Sequence, residues 1–380
     1  MKTACLLALL FVTPLLAQPA SPTKAATKPA PPKAAANAIP ADAAWHDVTK
    51  WGVEGRGWAD QERKRWFDRL PAKADGKVTP AVWSLSRDSA GMMVRFTTDA
   101  QAIYTRYTLA KTNLAMPHMP ATGVSGLDLY ARDAAGKWKW VQVTRPNSAK
   151  VETTLITDLA PGEREYAAYL PLYNGIESLA IGVPAGAKFA GLAPRAEPPI
   201  IFYGTSITHG ACASRPGMVH TAILGRRFDR PVINLGFSGN GRMDAAVGEL
   251  LVKIDAAVFI IDCLPNMSAA LVRERTIPLV TQLRAAHPDT PIILVEDRRY
   301  TNVWIQPKRD QGHTANHAAL REAFEKLKAD GAKGLFYIPG DDLLGSDGEG
   351  ATDGSHPNDL GFVRQADVME PIIRAALAGR

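Results

Sequence analysis

The alternation of apolar and polar positions changes character near residue 199. Before it, short runs are separated by Gly, Asp, Asn or Pro: "MMVRFTTD" (92–99), "AIYTRYTL" (102–109), "GLDLYAR" (126–132), "WKWVQVT" (138–144), "REYAAYLPL" (164–172) and "ESLAIGV" (177–183). Many of them alternate with period two, which predicts half-buried antiparallel strands and a β-sandwich over 41–195. "ADQERKRWFDRL" (59–70) breaks that pattern and predicts an amphipathic helix. "GLAPRAEPP" (191–199) predicts a linker.

Beyond it the strands become continuous apolar runs: "PIIFYG" (199–204), "VINLG" (232–236), "AAVFIID" (256–262), "PIILVE" (291–296) and "GLFYIPG" (334–340). Helical stretches fall between and after them, at about 216–228, 242–253, 268–287, 313–330 and 360–378. Apolar strands alternating with helices predict a parallel sheet covered on both faces, a three-layer α/β/α fold spanning 196–380. In such sheets ligands bind beyond the carboxyl ends of the strands. The chemistry is therefore expected just after Gly204, Gly236, Asp262 and Glu296.

The amino terminus follows neither pattern. Lys2 precedes an apolar run from Ala4 to Val12, and Leu15–Ala17 reads as a cleavage site, with Ala17 the last residue removed. Residues 1–17 are expected to be a signal peptide, with an uncleaved anchor as the alternative, so the protein is expected to be exported to the periplasm or secreted. Residues 18–40 hold six Pro, eight Ala and three Lys, and read as a semi-extended linker. No later apolar run is long enough to span a membrane, so no membrane insertion is expected after cleavage. The formal charge is +6, but four lysines lie before Ala41 with no acid among them, leaving +2 for the body. No basic stripe appears, which excludes nucleic acid as an expected partner.

At the predicted carboxyl edge, "FYGTSITHG" (202–210) places Ser206 just past the first strand. Ser206 is either a helix cap or a nucleophile. "TDGSHPNDLGF" (352–362) sets Asp353 three residues before His356, ahead of the last helix. A serine needs a base for its proton, and that base needs an acceptor to fix its tautomer; this pair can supply both. "GFSGNGR" (236–242) offers an unobstructed backbone N–H at Gly239, "DCLPNM" (262–267) a carboxamide at Asn266, and Ser206 its own N–H. Together these three would form an oxyanion hole.

These blocks resemble the SGNH, or GDSL-type, hydrolases, in which Ser, Gly, Asn and His occur in this order. On that resemblance they map to Ser206, Gly239, Asn266 and His356, with Asp353 completing the triad, over roughly residues 198–378. "SGLDLYAR" is similar to the G-x-D-L-Y segment of the β-sandwich that precedes some bacterial SGNH esterases. The resemblance implies a flavodoxin-like catalytic domain behind a jelly-roll-like sandwich, serine esterase activity, and no metal or organic cofactor. Thr205 stands where the family often has Asp, and Leu264-Pro265-Asn266-Met267 where it often has Gly-x-Asn-Asp. The loop at Asn266 is what these departures affect.

Other residues keep two readings each. His209 is a rival base or a bystander; Asp262 braces the site or caps a loop. Arg215 contacts a substrate oxygen or is solvated. Trp304, within the long polar segment 296–312, stacks on a sugar face or walls the pocket, or else plugs the core. His220, His313 and His317 read as surface or cavity-lining residues. His313 and His317 have the i, i+4 spacing of metal ligands but no third ligand nearby. Cys212 and Cys263 are either disulfide-bonded or two buried thiols. Seven tryptophans before residue 141 line either a glycan site or packed interfaces. The expected function is hydrolysis of O-acetyl esters on carbohydrate. The alternatives are a lysophospholipase or short-chain esterase, and an inactive glycan-binding protein. Oligomeric state is left open.

Overall fold

The structure, a computed structural model, describes residues 38–379. The expected signal peptide, and the linker up to Asn37, lie outside the described residues.

Nine strands form two antiparallel sheets. They are β1 (Ala44–Asp47), β2 (Met93–Thr98), β3 (Ile103–Leu109), β4 (Asp128–Arg132), β5 (Trp138–Val143), β6 (Lys150–Ile156), β7 (Arg164–Tyr169), β8 (Ile176–Val183) and β9 (Phe189–Leu192). One sheet has the order β1-β8-β3-β6, the other β5-β4-β7-β2-β9. Val94, Phe96, Tyr107, Leu129, Tyr166 and Ile181 fill the space between them. The short β1 and β9, and the longer but mostly polar β6, lack a clean apolar alternation and are absent from the sequence-based reading. β9 takes up the start of the expected linker.

The second layer system is a parallel sheet of β10 (Ile200–Gly204), β11 (Val232–Gly236), β12 (Val258–Asp262), β13 (Ile292–Val295) and β14 (Leu335–Ile338), in the order β11-β10-β12-β13-β14. This is the doubly wound arrangement, with its switch point beside β10. Two short helices, α1 (Pro80–Ser86) and α2 (Ala121–Val124), belong to the first half of the chain. The second half adds α3 (Ser206–His209), α4 (His220–Phe228), α5 (Ala245–Leu251), α6 (Ala269–Ala286), α7 (Pro307–Ala329) and α8 (Asp359–Ala378). The α5–α7 side and the α4–α8 side each cover one face of the sheet. Among the described residues no helix is long and apolar enough to cross a membrane.

Residues 59–70 are not a helix. Some of the carbonyls are taken by the Arg63 side chain and others by amides at non-helical spacing, such as Ala72 N–H to Glu62 O. Arg63 donates to Trp58 O and Gln61 O at 3.1 Å and to Asp68 O at 2.9 Å. The Asp68 carboxylate takes Arg65 N–H at 3.0 Å. The segment bridges the two cores: Phe67 is buried in the sandwich, whereas Leu70 and its flanking residues Trp58, Ala74, Val78 and Val82 join Ile201, Leu235 and Phe237 in the core on one face of the parallel sheet.

Arg69 anchors this arrangement. It is buried, and its guanidinium donates to Asn234 O (3.0 Å), Gly236 O (2.9 Å), Asp88 O (3.0 Å) and Leu85 O (2.7 Å). Those carbonyls have no water to turn to once the guanidinium is gone. Arg69→Met should therefore destabilise the protein by roughly 3 kcal/mol or more in chemical denaturation. A loss under about 1 kcal/mol would show that the carbonyls find other donors.

Candidate active site

Ser206 begins α3 at the end of β10, with only 7% of its surface exposed. The helix cap is not Ser206 but Thr205, whose Oγ1 accepts from Ile207 N–H at 3.3 Å. This is what Thr205 does at the position where the family often carries Asp. With the cap filled by its neighbour, the Ser206 hydroxyl is left for His356, whose Nε2 lies 2.8 Å away. Gly236 presses against the backbone of Thr208 and His209, where a Cβ would have no room, so only glycine lets β11 end this close to α3.

His356 sits on the loop before α8, which Asn358 caps through Gly361 N–H at 3.0 Å. Its Nδ1 is 2.7 Å from Asp353 Oδ2, while Asp353 Oδ1 accepts the backbone N–H of His356 (2.8 Å) and Ser355 (3.0 Å). Burial raises the Asp353 pKa, but these N–H bonds outweigh it and hold the carboxyl below its usual range. The carboxylate thus stays ionised and fixes the imidazole with Nδ1–H toward Asp353 and the Nε2 lone pair toward Ser206.

Gly239 lies at the apex of the turn after β11, at φ +69°, where a side chain would be strained. Phe237 N–H bonds Gly204 O at 2.9 Å, and Asn240 and Gly241 N–H both bond Phe237 O. Among the described residues nothing accepts the N–H of Gly239 or of Ser206. Asn266 ends a 3₁₀ turn, Leu264–Asn266. Its Oδ1 takes Gly241 N–H at 3.3 Å, which turns the carboxamide so that its NH₂ is unspent. Leu264 and Pro265 therefore build a working support for Asn266 without the family's usual residues. The N–H groups of Ser206, Gly239 and the Asn266 carboxamide are thus without an acceptor among the described residues.

Asp262 is buried and held by Arg298 (2.9 and 3.1 Å); it receives Thr208 Oγ1 at 3.2 Å, so it braces α3. His209 is buried, with Nε2 2.7 Å from Leu172 O and its ring stacked on Tyr173 at 4.1 Å. Burial drives its pKa well down, and it points away from the Ser206 hydroxyl, which leaves the rival base without a role. His220, His313 and His317 are not surface residues: all three are buried. His313 Nδ1 faces Asp297 at 3.2 Å and His317 Nδ1 faces Glu296 at 3.3 Å.

The readings of Arg215 and of segment 296–312 need correction, and the open alternative at the cysteines is decided. Arg215 is not a solvated side chain: its Nη1 is paired with Asp128 at 3.0 Å and donates to the Tyr130 hydroxyl. Cys212 and Cys263 are both free thiols. Cys263 is in the core on one face of the sheet, its Sγ near Tyr203 O at 3.5 Å. Cys212 instead lies by the triad loop, so the two do not meet. Segment 296–312 is not one long loop, because α7 starts at Pro307. Trp304 is 80% exposed and plugs nothing. Its segment is tied to the triad loop by Thr301 N–H to Gly354 O at 2.9 Å.

Sequence reasoning missed what the sandwich half brings to the site. Tyr173 places its hydroxyl 3.3 Å from Ser206 O and 3.4 Å from Ser238 Oγ. His118 stands exposed with its ring 6.3 Å from that of His356. Its neighbour Met119 is buried beside Ile207 and Ala211, which fixes the loop. Neither carries a local signal, since each depends on contacts across more than thirty residues.

Asp128 of the "GLDLY" segment had such a signal. Its carboxylate accepts Gly217 N–H (2.8 Å), Arg215 (3.0 Å) and Trp140 Nε1 (2.9 Å). The motif is thus a clamp on the loop beyond the nucleophile. Asp128→Ala leaves the half-buried Arg215 guanidinium without its counter-charge and the buried Gly217 amide without an acceptor, and should cost about 2–3 kcal/mol in a denaturant titration. A change within experimental error would show the clamp to be dispensable.

The remaining tryptophans mostly pack: Trp51 Nε1 donates to Arg95 O and Trp58 Nε1 to Leu250 O, both at 2.9 Å. Trp138 lies under Arg132 at 4.2 Å.

Comparison with known proteins agrees with this geometry. The GDSL-like Lipase/Acylhydrolase family matches residues 197–374, and the GxDLY N-terminus of SGNH-hydrolase-type esterases matches 43–189. A GDSL-like lipase from Bacteroides ovatus ATCC 8483 is 35% identical, with a TM-score of 0.83 over 88% of this chain and 98% of its own. Salicylyl-acyltransferase SsfX3 from a tetracycline biosynthetic pathway is 17% identical, with a TM-score of 0.69 over 89% and 98%. An acetyl xylan esterase from the rumen bacterium Butyrivibrio proteoclasticus is 10% identical, with a TM-score of 0.53 over 89% and 99%. The last two share the fold. No curated protein matches the chain.

Proposed function

This chain belongs to the GDSL-like lipase/acylhydrolase family of SGNH-type hydrolases, and from that premise we propose that it is an exported serine esterase that removes O-acetyl groups from carbohydrate. The observation that carries the catalytic part is the relay of Ser206, His356 and Asp353, at 2.8 and 2.7 Å, beside unspent N–H groups.

In the reaction, Ser206 Oγ attacks the ester carbonyl while His356 Nε2 takes its proton. Asp353 remains ionised and stabilises the imidazolium. The carbonyl oxygen becomes an oxyanion and is met by the N–H of Ser206, the N–H of Gly239 and the Asn266 carboxamide, each worth about 3–4 kcal/mol in the transition state. His356 returns the proton to the departing sugar oxygen. A water, deprotonated by the same imidazole, then releases acetate and restores the serine.

Carbohydrate is favoured by the exposed Trp304, on a segment bonded to the triad loop, and by the exposed imidazole of His118. One offers an apolar face to a sugar ring, the other a hydrogen bond to its hydroxyls. The acetyl xylan esterase of the same fold supports the same choice. Export rests on residues 1–17; amino-terminal sequencing of the mature protein should begin at Gln18.

The deciding measurement is ester release by the native protein and by Ser206→Ala across acetylated polysaccharides, lysophospholipids and p-nitrophenyl esters of rising chain length. Acetyl polysaccharide should be the preferred substrate and the variant inert. Preference for lysophospholipid would replace the substrate, and equal release by both forms would overturn the enzyme.

A further inference from the structure

One nucleophilic group beside the triad is not used by the reaction above. One donor atom each from Cys212, Asp353 and His356 lies within 4.8 Å of the other two. Cys212 is held there by unusual means: it adopts φ +71°, in the left-handed region, although it is not glycine. Ala211 N–H bonds Ser206 O at 2.9 Å and Ser214 N–H bonds Asp359 at 2.9 Å, so both flanks of the turn are fixed. Backbone conformations of this kind gather at functional positions.

We propose that Cys212, Asp353 and His356 form an inhibitory site for a soft divalent cation of the zinc class. Thiolate, imidazole and carboxylate are the ligand types zinc selects, and three protein ligands with an open position form a common zinc site. Ligand atoms on one tetrahedral zinc stand about 3.3–3.7 Å apart, given its usual bond lengths. A separation near the 4.8 Å bound must therefore shorten by roughly 1 Å, and at Nδ1 the 2.7 Å between His356 and Asp353 Oδ2 must instead open. Asp353 and His356 can supply this, since their side chains are 46% and 27% exposed.

Occupation is incompatible with catalysis whichever ring nitrogen binds. At Nε2 the metal consumes the lone pair that deprotonates Ser206. At Nδ1 it displaces the bond to Asp353 and forces the proton onto Nε2, which then cannot accept. The thiol proton leaves to solvent, the carboxylate is already ionised, and the imidazole stays neutral, so no redox partner is involved.

The inhibition half of the test rests on the esterase reading; the binding half does not. Zinc chloride should lower hydrolysis of an aryl acetate by about tenfold or more, reversibly on adding a chelator, whereas magnesium should not. The ratio of activity with and without zinc is compared within each variant. Cys212→Ser, and Cys212→Gly as a second form that the left-handed backbone favours, should each raise the half-inhibiting concentration about tenfold or more. Independently, cadmium added to Ser206→Ala should produce the ultraviolet charge-transfer band of a thiolate complex, absent when Cys212→Ser is added. Equal zinc sensitivity in all forms, or a cadmium band that survives loss of Cys212, overturns the proposal. An inactive protein that still gives the Cys212-dependent band would count against the esterase reading and not against the metal site.

Discussion

Ser206→Ala should lower kcat for acetyl ester hydrolysis by about 10⁴–10⁶-fold, and His356→Ala by a similar amount. The two groups act on one proton, so the effects should not add. With the serine gone the imidazole has nothing to deprotonate, and with the imidazole gone the hydroxyl is a poor nucleophile at neutral pH. The double variant should lose no more than either single one. What persists would come from substrate binding and the three N–H donors. Because Ser206 is 7% exposed and the cap bond belongs to Thr205, the alanine variant should keep its fold, and its thermal midpoint should stay near the native value. Steady-state kinetics with calorimetry on the four proteins tests this. Additive losses, or a large fall in thermal stability with Ser206→Ala, would contradict the scheme.

Asn266→Ala should reduce kcat by about 10²–10³-fold while leaving KM close to native. The carboxamide oxygen accepts Gly241 N–H at 3.3 Å, which favours the orientation that leaves the NH₂ for the substrate. Its NH₂ meets charge that exists only in the transition state, which is why the loss belongs in kcat. Asn266→Asp is the sharper comparison. It keeps the bond to Gly241 but sets a carboxylate where the oxyanion forms, and should be worse than alanine. A KM effect exceeding the kcat effect would instead place Asn266 in ground-state binding.

The catalytic half could be read from the chain because its information is local. Each of the five parallel strands is a continuous apolar run, and each site residue follows one of them or sits in the turn before α8. Asp353 and His356 are three residues apart, so one turn brings them together. Ser206 was ambiguous because either it or Thr205 could cap α3, and it is the structure that gives the cap to Thr205. Arg215 could not be placed, since its partner Asp128 is 87 residues earlier. Residues 59–70 misled because their apolar spacing serves a coil pinned by Arg63 and Arg69, and side-chain donors to backbone carbonyls leave no periodic trace. The thiols of Cys212 and Cys263 belong to different surroundings, one at the triad loop and one in the core, a fact that spacing along the chain cannot encode.

Arg69 gives its four bonds to carbonyls on both sides of the boundary between the two halves: Leu85 and Asp88 before it, Asn234 and Gly236 beyond it. Trp58 and Met119 cross the same boundary as buried wedges. For protein engineering this rules out treating the sandwich as a detachable module. Exchanging it for another accessory domain would expose apolar surface on the parallel sheet and strand carbonyls next to the oxyanion turn. A working chimera would have to carry residues 58–88 and the 116–124 loop along with the catalytic half, so the natural unit of recombination is the pair.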